Sequence, residues 1–175
     1  MKKIYFTALL TLTFLTASAQ KNFEIGAHVG IPVGDTSDGL SFAAGLNLAY
    51  TATVANSFKL GIASGYSHYF KKDIGKDLSI VPIAAKAKYM FQNVPLFIDL
   101  DLGYGISVNE SYKGGFYAYP KVGYKMAGGE IYLGYQNLSS KYNFDYFDLT
   151  TNTIRKNNAS ISIGSINLGY TYIFK

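Results

Sequence analysis

Between Ile80 and Val108 the chain reads I-V-P-I-A-A-K-A-K-Y-M-F, then Q-N-V-P, then L-F-I-D-L-D-L-G-Y-G-I-S-V. Both arms alternate with a period of two, which is the signature of a strand with unlike faces. One face carries Val81, Ile83, Ala85, Ala87, Tyr89 and Phe91, then Leu96, Ile98, Leu100, Leu102, Tyr104 and Ile106. The other carries Lys86 and Lys88 on the first arm and Asp99 and Asp101 on the second. A turn at Asn93-Val94 sets Lys88 opposite Asp99 and Lys86 opposite Asp101, and opposed unlike charges are a favourable cross-strand pair. The hairpin therefore has a continuous apolar face and a face of paired charges. Which of them meets water decides the fold.

The start of the chain has its own pattern. Met1-Lys2-Lys3 is basic, Ile4 to Leu15 is an apolar run, and Ala17-Ser18-Ala19 is a small-residue cleavage site. This is the pattern of a secretory signal peptide, expected to occupy residues 1–19 and to leave a mature domain of 20–175. The apolar run is shorter than the ~20 residues that a membrane helix needs. The absence of cysteine excludes disulfides and thiolate metal sites. Loss of Lys2 and Lys3 leaves 14 basic residues against 11 acidic ones, net +3, with no basic run. That balance does not call for nucleic acid.

Six further segments share the hairpin's period, eight in all with its two arms. The set is roughly 22–32, 41–53, 57–70, 80–91, 95–108, 116–126, 130–141 and 158–174. Each is about as long as the ~9–11 residues of a tilted membrane-crossing strand, or slightly longer. The links alternate in kind. Those at 53–56, 92–94 and 127–129 are tight, and Gly128-Gly129 suits a hairpin turn with positive φ. Those at 33–40, 71–79, 109–115 and 142–157 are longer and polar. Only 15% of the residues are charged, against ~25% in soluble domains. The apolar faces of the eight segments are free of Arg, Asp and Glu and carry one Lys, Lys141 at the end of its segment, and their aromatics gather near the ends: Phe23, Tyr50, Phe58, Phe91, Tyr124 and Phe174 beside the tight turns, Phe42, Tyr104, Phe116 and Tyr135 nearer the loops.

The opposite faces carry Glu24, His28, Asn47, Lys59, Lys86, Lys88, Asp99, Asp101, Lys121, Lys125 and Glu130, spaced by glycines. A lysine facing lipid at mid-bilayer costs about 2–4 kcal/mol. Turned inward against a carboxylate, it is satisfied. The fold class expected is thus all-β, an eight-stranded antiparallel up-and-down transmembrane β-barrel with its charges inside. Eight strands enclose a space that side chains just fill. The expected lumen is a charge network of Glu24, Lys86, Lys88, Asp99, Asp101, Lys121, Lys125 and Glu130, with Phe97, Tyr117, Tyr119 and Tyr132 taking up further room. Pro82 and Pro120 fall inside segments and cannot donate to a ladder; Pro120 implies a bulge or a sixth strand regular only from Lys121.

The leader, the eight amphipathic strands, the sorted links and the closing Y-T-Y-I-F-K of residues 170–175 together resemble the small eight-stranded outer-membrane β-barrels of the OmpX and OmpA-barrel kind. That resemblance implies residence in the cell outer membrane, contact with outer-membrane lipid and with the assembly machinery that reads the last strand, and a monomer. It does not single out one role. Such barrels serve as adhesins, envelope-structural proteins and, in a few cases, lipid-modifying enzymes.

Three stretches are candidates for a site within this frame. Glu24 and His28 share the lumen face, either as a proton-relay pair or as members of the polar interior. Ser64, Tyr66 and His68 share the outward face near the loop end of the third strand, with no acid partner visible. Residues 142–157 read Y-N-F-D-Y-F-D-L-T-T-N-T-I-R-K-N. Aromatics interleaved with acids at Phe144, Asp145, Tyr146, Phe147 and Asp148 suit either a surface-contact loop or strands that continue past the membrane. No spacing suits a metal or cofactor. The expectation is a non-enzymatic barrel with an envelope-structural or surface-interaction, adhesion-like role and a plugged lumen. The alternatives are a lipid-modifying outer-membrane enzyme and a soluble lipocalin-like binding barrel, which needs an apolar lumen and a wet exterior.

Overall fold

A computed structural model describes residues 21–35, 37–72, 77–108, 114–148 and 153–174. The expected leader, 1–19, lies outside these residues. Eight strands follow one another: β1 (Lys21–Val33), β2 (Leu40–Ala55), β3 (Phe58–Lys71), β4 (Leu78–Met90), β5 (Leu96–Ser107), β6 (Gly115–Met126), β7 (Gly129–Asp148) and β8 (Thr153–Phe174). A short 3-10 turn, Ser37–Gly39, precedes β2. Each strand pairs antiparallel with the next, and β8 returns to β1 from Phe23↔Phe174 to Val33↔Gly164, which closes the barrel.

Period-two alternation dictates what faces where. The outer wall exposes large apolar side chains from every strand; Ile31 is 70% and Ile62 67% accessible. Aromatics ring the turn end, with Phe23 and Phe174 in contact across the β1–β8 seam at 6.0 Å. This wall excludes a soluble binding barrel, which would need its polar face outside.

The β4–β5 register is the one the charges predict: Lys88↔Asp99 and Lys86↔Asp101, centred on Asn93 and Val94. The β6–β7 turn is Ala127-Gly128, one residue earlier than expected. Gly128 takes the positive φ of +85°, and Gly129 already pairs with Met126. Pro120 causes no bulge. Its ladder to β5 is intact through Leu100↔Pro120, whereas the β6–β7 ladder skips from Ala118↔Asn137 to Lys121↔Gly134 in unchanged register. The missing N–H thus falls on the β7 side and costs a local gap only. Pro82 leaves the same kind of gap between Ser64↔Ile83 and Ser67↔Ile80, where the Ser64 hydroxyl donates to the Pro82 carbonyl at 2.8 Å.

In the last hairpin the structure takes the second of the two readings of 142–157, strands that continue past the barrel. Residues 142–157 are mostly strand, not loop: β7 and β8 stay paired to Asp148↔Thr153. Their other partners stop earlier, β6 at Phe116↔Ser139 and β1 at Val33↔Gly164. Residues 141–148 and 153–160 therefore form a two-stranded ribbon beyond the buried aliphatic residues Leu138 and Ile163, at the end away from the tight turns.

Candidate functional site

The described lumen-facing side chains lie in three layers. Nearest the tight turns lies the charged layer. Lys86 Nζ bonds Asp99 Oδ2 and, at 3.2 Å, Asp101 Oδ1. Lys121 Nζ bonds Asp101 Oδ2 and lies 3.6 Å from Asp99 Oδ2. Two lysines and two aspartates thus form a neutral ring. Lys88 belongs to a second cluster: it donates to Glu24 at 3.2 and 3.1 Å and to Glu130 at 2.6 Å, and Thr51 donates to Glu24 at 3.0 Å. All seven ionic side chains are buried.

These partners differ from the opposed pairs of the register. Lys88 sits opposite Asp99 yet reaches across the lumen to β1 and β7, while Lys86 takes both aspartates. A lysine stem spans the diagonal to neighbouring strands, so in a narrow barrel the shortest path runs across the interior. Lys125 is a correction. Although it lies opposite Glu130 in the ladder, it is exposed at the turn-side mouth and takes no part in these ion pairs. There, with half-buried Lys59, it lines a vestibule of about 480 Å³. Lys59 lies opposite Lys88 on β3.

The middle layer is polar and aromatic. His28 contacts Asn47 at 3.1 Å and Ser67 at 3.3 Å, and Gln136 donates to Ser67 at 2.9 Å and to Tyr117 at 3.3 Å. Glu24 and His28 do not bond each other; one belongs to the charged layer and the other to this one. Lys121 sits over the Tyr119 ring at 4.5 Å, a cation–π contact. The third layer, at the loop end, is aliphatic: Leu40, Leu78, Ile80, Leu138 and Ile163 are all buried. Sequence reasoning missed this layer, although Leu78 and Ile80 share the parity of Lys86 and Lys88. Between the layers, at the level of Lys86 and Asp101, the remaining cavity is about 20 Å³, room for about one water. Among the described residues no cluster of His, Asp and Glu could hold a metal ion.

On the outer wall, the Tyr66–His68 face has an acid after all. Asp77, just before β4, places Oδ2 at 3.2 Å from His68 Nε2, and Ser79 places Oγ at 2.9 Å from His68 Nδ1. Ser64 is not part of this set; its hydroxyl is spent on Pro82. The backbone N–H of Lys71 donates to Asp77 Oδ1 at 3.1 Å, and that bond, with His68 adding to it, holds the Asp77 carboxyl below the ordinary carboxylate range. The backbone of Phe144, Asp145, Tyr146, Phe147 and Asp148 lies in the ribbon, and what their side chains touch lies outside the described residues.

No protein-family model matches the sequence, and neither does any curated protein. Solved structures do. Ail, the attachment invasion locus protein of Yersinia pestis, aligns with a TM-score of 0.51 at 14% identity, over 88% of this chain and 97% of that one. Neisserial surface protein A aligns at 0.47 and 16%, over 90% and 99%, and a major outer membrane protein of Thermus thermophilus at 0.44 and 12%, over 88% and 99%. At such identities the likeness is one of fold. The closed eight-strand sheet, the apolar wall and the inward charges make this chain a small eight-stranded antiparallel β-barrel of the outer-membrane kind, a fold it shares with Ail.

Proposed function

We propose that the protein is an envelope-structural or surface-interaction barrel, adhesion-like in mode, whose interior does no chemistry and passes no solute. The observation that carries this reading is the ribbon. Residues 141–148 and 153–160 pair with each other, and no other described strand pairs with them. Open strand edges present rows of backbone donors and acceptors, and adding a partner's strand to such an edge is a common recognition mode. The alternation of aromatics and acids from Phe144 to Asp148 supplies side chains for specificity. Ail, which shares the fold, is described as an attachment protein. The reading includes a cleaved leader at 1–19, insertion by the outer-membrane assembly machinery and a monomeric barrel.

Replacing 142–157 with an Asn-Gly turn tests it. The shortened barrel should fold, with its heat-dependent gel mobility intact, while cells displaying it lose adherence to surfaces or to other cells. Unchanged adherence would refute the assignment to the ribbon.

A further inference from the structure

The β3–β4 register sets His68 directly opposite Ser79 on the outer wall. The hydroxyl of Ser79 meets one ring nitrogen at 2.9 Å and the carboxylate of Asp77 meets the other at 3.2 Å. The ring is held in place by Phe70, edge-on at 4.4 Å, which stacks on Phe42 at 4.1 Å. Asp77 is itself fixed by the Lys71 amide. Hydroxyl, imidazole and carboxylate in hydrogen-bonded series are the parts of an activated serine: nucleophile, general base and orienting acid. A fourth group stands beside them. The Tyr66 hydroxyl is 2.8 Å from Ser79 Oγ and 3.2 Å from His68 Nδ1, so a carbonyl oxygen bonded through Ser79 would lie within its reach. A phenol donor at that place can stabilise an oxyanion.

The position of the set selects the substrate. On the outward face of β3, apolar Ile62 gives way to Tyr66 and His68, and the charged Lys71, Lys72 and Asp77 follow at the end of β3 and before β4. The exposed neighbours on this wall, Ile83 and Val108, are apolar. In a bilayer, the ester linkages of a lipid lie at this same boundary between acyl chains and headgroups. We propose that Ser79, His68 and Asp77 form a hydrolytic site on the outer wall that cleaves the acyl ester of a membrane lipid.

Tyr66, exposed to the membrane, covers the buried Ser79 and turns from it to the carbonyl oxygen as substrate enters. Ser79 Oγ bonds to the ester carbon while its proton passes to His68 Nδ1. The ester C–O bond breaks, and the same proton goes to the departing alkoxide, giving the alcohol and an acyl-Ser79. Water, deprotonated by His68, then releases the fatty acid and restores Ser79. Asp77 is a positioning residue that acts through the imidazole. This activity goes beyond the structural and surface role above, which the barrel and ribbon serve with or without it.

The test uses the full mature chain folded in phospholipid vesicles. One arm measures fatty-acid release from a phospholipid ester, a second hydrolysis of the soluble ester p-nitrophenyl butyrate, and a third labelling by a fluorophosphonate, mapped by mass spectrometry. The expected result is label on Ser79 and lipid hydrolysis that falls about 10²–10⁴-fold in Ser79→Ala and in His68→Gln. Asp77→Asn should lose most of the labelling rate and Asp77→Glu should restore part of it, a rescue that a merely structural carboxylate would not give. Each variant is first shown to be folded by heat-dependent gel mobility. A folded wild type that neither labels nor releases fatty acid overturns the proposal, as does Ser79→Ala with undiminished turnover. Cleavage of the soluble ester alone overturns the assignment to membrane lipid. Neither result alters the adherence experiment on the ribbon, so the two readings fail separately.

Discussion

Lys88 is the side chain whose removal should be felt most. It is 1% exposed and serves two carboxylates, Glu24 at 3.1 Å and Glu130 at 2.6 Å. At separations near 3 Å each contact is worth about 5 kcal/mol at an effective dielectric of ~20. Burial of the three charges costs several kcal/mol per ion, so the intact cluster is close to neutral in net stability. Breaking it is not neutral. Lys88→Met keeps most of the stem but leaves two buried carboxylates facing each other, and removing one partner of a buried pair costs about 3–5 kcal/mol. The two carboxylates do not suffer equally. Glu24 keeps the Thr51 hydroxyl at 3.0 Å, whereas Glu130 Oε1 has no hydrogen-bond partner even with Lys88 in place. Adding Glu130→Gln to Lys88→Met should therefore recover more than adding Glu24→Gln, and the triple variant should approach wild type. The chain has no tryptophan, so the assay is a urea series in vesicles, read by the folded and unfolded gel bands and by circular dichroism. A Lys88→Met loss within ~0.5 kcal/mol, the range of an ordinary surface change, would refute the reasoning, and so would equal rescue by the two glutamine variants.

Two further outcomes are expected. In planar bilayers the purified barrel should give no steady conductance, since charged, aromatic and aliphatic side chains fill the lumen and the gap beside Lys86 is only about 20 Å³; stable porin-sized currents would overturn the closed-lumen reading. The Asp77 carboxyl is depressed chiefly by the Lys71 N–H, so that hydrogen bond should be fully present above the ordinary carboxylate pKa and lost only as pH falls through the lower folded value. The Lys71 amide chemical shift should titrate with that depressed midpoint and should be flat in Asp77→Asn; a midpoint at or above the ordinary range would contradict the contact.

How much of this was legible in the sequence follows from what a period of two can encode. Alternation states which residues share a face, and charge opposition states which register is favoured, so the β4–β5 pairing could be derived from Lys86, Lys88, Asp99 and Asp101 alone. Alternation does not state which groups touch across a closed interior. Lys88 and Glu130 are on strands that are not neighbours in the sheet, and only the curvature that closes the barrel brings them to 2.6 Å. The same limit hid the outer-wall acid. Asp77 precedes its strand, in a link read as polar loop, and it meets His68 because the β3–β4 ladder starts at Tyr69↔Leu78. The ribbon was left between two readings because its sequence mixes acids, asparagines and threonines with aromatics and keeps no apolar period.

That change of rule along one hairpin separates the barrel's tasks. Below Ser139 β7 is paired on both sides within the closed sheet, to β6 and to β8. Beyond it, β7 and β8 answer to each other through backbone pairs from Ser140↔Ile161 to Asp148↔Thr153. Backbone pairing tolerates nearly any side chain without glycine or proline, and none of either occurs from 140 to 163. Substitutions in the ribbon can therefore leave its backbone pairing intact. The recognition proposed at the ribbon and the chemistry proposed on the outer wall rest on two separate sets of residues, so each can be tested by substitution while the barrel stays folded.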